Sequence, residues 1–121
     1  MSFATKPHPS TLDYVYKWIN ETMKKLQDSD DAHKYMVYRL LETIDLSKWS
    51  KVRPATMAGA IMSIAFDYSP TKDKYYPRSK AWLIMDAMEQ AAVYDQIRRF
   101  QRKILAVYED QIVAIRGEFK Q

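Results

Sequence analysis

Four cations stand close together near the C-terminal end of this chain: Arg98, Arg99, Arg102 and Lys103. On a helix, Arg98 pairs in register with Arg102 and Arg99 with Lys103, each four residues apart, so two adjacent rows of positive charge project from one region. Such rows suit phosphates spaced along a nucleic acid backbone, and nothing in the spacing reads a base sequence. The competing reading is a solvated face in which Asp95 pairs with Arg98 or Arg99 three or four residues on.

Two further segments interleave basic residues with aromatics. One is Lys48-Trp49-Ser50-Lys51-Val52-Arg53; the other runs from Lys72 and Lys74 through Tyr75 and Tyr76 to Arg78 and Lys80. Cations of this kind meet phosphates while the rings stack on bases or clamp a partner. The alternative is that Trp49 and Tyr75 or Tyr76 fold back over core edges, the favoured reading for Trp49. The segments flank one helix at opposite ends, about 22 Å apart if that helix is straight, so they cannot form one small pocket and would line a long groove only with neighbouring chains.

Enzymatic chemistry finds few of its usual parts. Of the two histidines, His8 lies between Pro7 and Pro9, and His33 follows Asp30 and Asp31 at a helix start, where capping or solvation is expected. The only glycines are Gly59 and Gly117, so no glycine-rich phosphate loop exists, and the absence of cysteine removes thiolate nucleophiles and sulfur-bound zinc. Asp86 and Glu89 have the three-residue step of helical metal carboxylates but no Glu-x-x-His partner. Asp28, Asp30 and Asp31 lack the glycine and terminal glutamate of a calcium loop. The expectation is a non-enzymatic protein with no cofactor and no metal.

The elements that must position these residues follow from composition and period. With 121 residues, 47% hydrophobic, two glycines and five prolines, the chain suits one helical domain with a single core, residues 11–121, behind an extended N-terminal arm, residues 1–10. No apolar run approaches about 20 residues and no signal-peptide core opens the chain, so no membrane span and a cytoplasmic location are expected. A net charge of +4 favours a polyanionic partner.

Ser10 or Thr11 caps a first helix whose stripe is Leu12, Val15, Trp18, Ile19, Met23 and Leu26. Asp28 to Asp31 turn into a second, marked by Met36, Leu40, Leu41 and Ile44. Pro54 opens a third helix, reaching about Tyr68 and apolar nearly all round, which makes it the central core element. Gly59 gives it a small-residue face for close approach.

Ser79 then opens a run to Arg116 with neither Pro nor Gly, which predicts one helix about 57 Å long, closed by Gly117. A rod of that length exceeds the width of the domain and must bend or pack against another chain. The predicted fold is all-α, a four-helix-type bundle with a long C-terminal helix that bends or extends into an oligomer interface.

Two functions fit. The first is a self-associating protein that binds nucleic acid through Arg98, Arg99, Arg102, Lys103, Lys48, Lys51, Arg53, Lys72, Lys74 and Arg78, a nucleoprotein or coat-type subunit at its extreme. The second is a protein-interaction module or inhibitor that docks its last helix through Phe100, Tyr108 and Ile112. Trp49, Tyr75 and Tyr76 join those three as interface candidates.

Overall fold

The computed structural model describes residues 11–26, 31–70, 84, 88 and 94–119. The arm at 1–10, the acidic turn at 27–30, and Lys72, Lys74, Tyr75, Tyr76, Arg78, Asp86 and Glu89 lie outside the described residues. Among those described, the fold is an all-α bundle of four helices: α1 (Thr11–Leu26), α2 (Asp31–Thr43), α3 (Pro54–Tyr68) and α4 (Tyr94–Glu118). A 3₁₀ turn, Leu46–Trp49, links α2 to α3.

α3 is the centre. Every residue from Ala55 to Phe66 is buried, because α1, α2 and α4 all pack against it. A helix apolar on all sides is stable in water only when so surrounded. Its start follows from local chemistry: Arg53 is extended (φ −68°, ψ 144°), Pro54 takes the first turn, where its missing N–H costs nothing, and Met57 N–H closes onto Arg53 O at 3.0 Å. At Gly59 α4 comes close. A Cβ built there would lie 2.7 Å from Ile97 Cδ1 and 3.7 Å from Met88 Sδ.

The contacts at Gly59 also exclude a straight helix through both Met88 and Ile97. On a straight helix, positions 88 and 97 would stand about 13.5 Å apart along the axis. Met88 instead occupies a turn, its N–H bonded to Ile84 O at 3.0 Å, and both Met88 and Ile97 reach Gly59. Among the described residues the C-terminal helix is α4, 25 residues or about 38 Å long. Its stripe Ile97, Phe100, Ile104, Tyr108, Ile112 and Ile115 is buried throughout. Gly117 does not close the helix, which continues to Glu118.

Two polar contacts tie α4 to α2 and to the segment that follows it. At the far end Glu118 receives both Arg39 Nε and Nη2 at 2.9 Å and the Tyr35 hydroxyl at 2.7 Å. These donors, Arg39 first, hold the Glu118 carboxyl at about 2, well below its ordinary 4.5. A carboxylate depressed on folding stabilises the fold fully above pH 4.5 and loses that contribution as pH falls toward 2. Thermal melts of Glu118→Gln are expected to lie below those of the parent at pH 7, with the gap closing between pH 4.5 and 2. A gap independent of pH would show that the ion pair is not its source.

Nearer the middle, the buried Tyr108 hydroxyl accepts the Asp45 backbone N–H at 3.1 Å. Asp45 in turn caps the 3₁₀ turn by accepting Ser47 N–H at 3.1 Å. Tyr108→Phe strands that partly buried N–H and is expected to cost about 1–2 kcal/mol in urea unfolding.

His33 is a correction. It is fully buried, its ring stacked on Phe66 at 3.7 Å and 3°, with Nε2 3.4 Å from Met62 O. Its position, three, four and seven residues before Met36, Val37 and Leu40, puts it on the stripe of α2 that faces α3. Leu12 also departs from expectation: it is 42% exposed, and Thr22 takes a place in the α1 stripe.

Candidate nucleic-acid interface

The two rows of cations on α4 part company in the folded chain. Arg99 and Lys103 line a cleft of about 270 Å³ together with Lys51 and Arg53. Arg98 and Arg102 line a second cleft, about 530 Å³, on the α3 side with Asp67 and Tyr68. The division follows from helical geometry. Consecutive residues turn by about 100°, so Arg98 and Arg102 lie on one side of the buried stripe and Arg99 and Lys103 on the other.

The first cleft depends on Trp49. Its indole meets Phe100 edge-on at 5.2 Å and 87°, and Tyr108 at 6.4 Å and 63°. These contacts seat the 3₁₀ turn on α4, as the core-covering reading of Trp49 anticipates. Val52 N–H then bonds to Trp49 O at 3.0 Å, which tightens the following loop and places Lys51 and Arg53 opposite Arg99 and Lys103. Residues some 50 positions apart in sequence thereby share one site. The loop's other cation goes elsewhere: Lys48 Nζ sits 5.2 Å from the Tyr108 ring centroid, a cation–π contact at the rim of the core.

Among the described lining residues of the cleft, the charges are all of one sign. Lys51, Arg53, Arg99 and Lys103 contribute four positive charges, and no carboxylate is among the described lining residues. Asp95 makes no ion pair with Arg98 or Arg99, and among the described residues no carboxylate lies in ion-pair range of Arg98, Arg99, Arg102 or Lys103. Like charges held together repel, and an anion in the cleft relieves that repulsion. Val52 and Phe100 provide the apolar part of the lining.

The proposed protein-docking anchors face the other way. Phe100, Tyr108 and Ile112 are 2%, 7% and 0% exposed, because they form the stripe of α4 that packs in the chain's own core. The exposed apolar residues of α4 are instead Tyr94, Val107 and Val113.

Sequence reasoning overlooked the second cleft's Tyr68, Tyr94 and Gln101. Gln101 had a visible signal: a glutamine at a core-stripe position, four residues after Ile97 and three before Ile104. Tyr68 has a raised pKa, through burial first and through the hydrogen bond its hydroxyl donates to Glu109 Oε2 at 2.8 Å. No helix among the described residues is long and apolar enough to cross a membrane. Comparison with protein-family models, curated proteins and solved structures finds no match.

Proposed function

We propose that this chain is a non-enzymatic binding protein for nucleic acid, gripping the phosphate backbone without sequence preference in the cleft between residues 51–53 and α4. The observation that carries this reading is the convergence of Lys51, Arg53, Arg99 and Lys103, from two distant segments, on one cleft with no carboxylate among its described lining residues. A solvated basic face requires no such convergence. Arginine and lysine with an apolar floor suit a sugar–phosphate chain, whose charge is met by the cations and whose sugars rest on Val52.

The protein-interaction reading has lost its anchors to the core. The geometric argument for self-association rested on a 57 Å rod, and the shorter α4 does not supply it. The nucleic-acid reading stands without either.

The test is binding to a labelled oligonucleotide as a function of salt. Neutralising four phosphates gives a log–log slope of about −3.6 on duplex, or roughly 150-fold weaker binding at 200 mM than at 50 mM salt. No measurable binding at 50 mM salt, or a flat salt dependence, would reject the cleft as a phosphate site.

A further inference from the structure

The second cleft holds a buried acceptor that the fold leaves unused. Gln101 is 4% exposed and lines this cleft, and its Oε1, closed to water, accepts no hydrogen bond among the described residues. Buried side-chain oxygens are nearly always satisfied, so an orphaned one at the wall of a cavity marks a place where a donor is welcome. Around it stand Tyr68 and the exposed Tyr94, the Arg98 and Arg102 guanidiniums, and Asp67. The cavity, about 530 Å³, lies within the range of about 300–1,000 Å³ usual for small-ligand sites.

These groups ask for a ligand with three properties: a flat ring to lie against tyrosine, an anionic group for arginine, and an N–H to donate to the buried amide. A nucleotide has all three. Every nucleobase carries an N–H donor, but in a duplex the ring faces are stacked on their neighbours, so only an unpaired base offers both donor and ring face. We propose that this cleft takes the unpaired base of a single-stranded nucleic acid, with Tyr94 and Tyr68 against the ring, Gln101 turning its side chain so that Oε1 receives a base N–H, and Arg98 and Arg102 holding the adjoining phosphate. The proposal rests on the nucleic-acid reading but concerns the opposite flank of α4. A strand crossing the exposed face between Arg98 and Arg99 leaves backbone on one flank and a base on the other.

Gln101→Leu and Tyr94→Ala separate the two clefts. Gln101→Leu keeps the side chain's size and removes the orphaned acceptor, so its melting temperature should equal or exceed the parent's. The affinity of both variants would be measured for a short single strand and for the matching duplex, and each protein titrated with a nucleoside monophosphate and with inorganic phosphate while tyrosine signals are followed by NMR.

Expected are tighter binding of the single strand than of the duplex, a loss of roughly tenfold for single strand in either variant, duplex affinity unchanged, and a response to the monophosphate that Gln101→Leu abolishes. If both variants retain full single-strand affinity, the base site is overturned and the backbone cleft stands. Inorganic phosphate acting as well as the monophosphate would reduce the cleft to an anion site and equally overturn the base assignment. A protein that binds neither oligonucleotide but still answers to the monophosphate through Gln101 retains the base site and loses the backbone reading. Silence toward every probe overturns both.

Discussion

Arg99→Glu combined with Lys103→Glu is expected to weaken duplex binding on the order of 10²-fold at 50 mM salt and to halve its salt dependence. Two of the four cleft cations are removed and two negative charges are placed opposite Lys51 and Arg53. The log–log slope should fall from about −3.6 to about −1.8, so the loss between 50 and 200 mM salt shrinks from roughly 150-fold to about 12-fold. The fold should survive: both side chains are exposed, neither takes part in an ion pair among the described residues, and glutamate is a good helix former. Unchanged circular dichroism with unchanged affinity would rule out this cleft. The same exchange at Arg98 and Arg102 should reduce single-strand affinity more than duplex affinity, because those cations belong to the other flank of α4.

The largest effect on stability is expected at Gly59. Valine there adds three carbons where the first would already lie 2.7 Å from Ile97 Cδ1 and 3.0 Å from Ile97 Cγ1. Ile97 is fully buried and cannot withdraw without disturbing the core. Overpacking of this kind costs about 1–3 kcal/mol, and a β-branched residue in a crowded helix places the result at the upper end or beyond.

Gly59→Ala is the informative companion. Alanine recovers about 1 kcal/mol of helix propensity while incurring the same first clash, so its net effect is small and destabilising. Ile97→Val removes the Cδ1 atom responsible. The double variant Gly59→Ala with Ile97→Val should therefore be more stable than the sum of the two single changes by about 0.5–3 kcal/mol, read from chemical denaturation. Strict additivity would show that the contact does not limit how closely α3 and α4 approach.

Some of the fold was legible residue by residue. Pro54 announced the start of α3 because its chemistry is local, and the run from Met57 to Phe66, polar only at Ser63, announced a helix enclosed by others. The stripe Ile97, Phe100, Ile104, Tyr108, Ile112 and Ile115 announced one side of α4. Reading that stripe as an interface erred on a point that periodicity does not contain. A helix pattern says that one face is apolar, and is silent on whether its own chain or another covers it. His33 erred for the same kind of reason, since a histidine beside aspartates at a helix start suits solvent until Phe66 is found stacked on its ring.

What the sequence by itself determined is set within a few residues: the helical class, the boundaries marked by proline and by polar turns, the central place of α3, and the two rows of cations four apart. These follow from backbone and side-chain preferences that act over one or two turns. Only the tertiary structure decided that Met88 turns so that it and Ile97 share Gly59, that Trp49 carries Lys51 and Arg53 to Arg99 and Lys103, and that Arg98 and Arg102 face a separate cleft beside the unsatisfied amide of Gln101. Each of these depends on contacts between residues roughly 30 to 50 positions apart, and such contacts are chosen by how all the helices fill one core together.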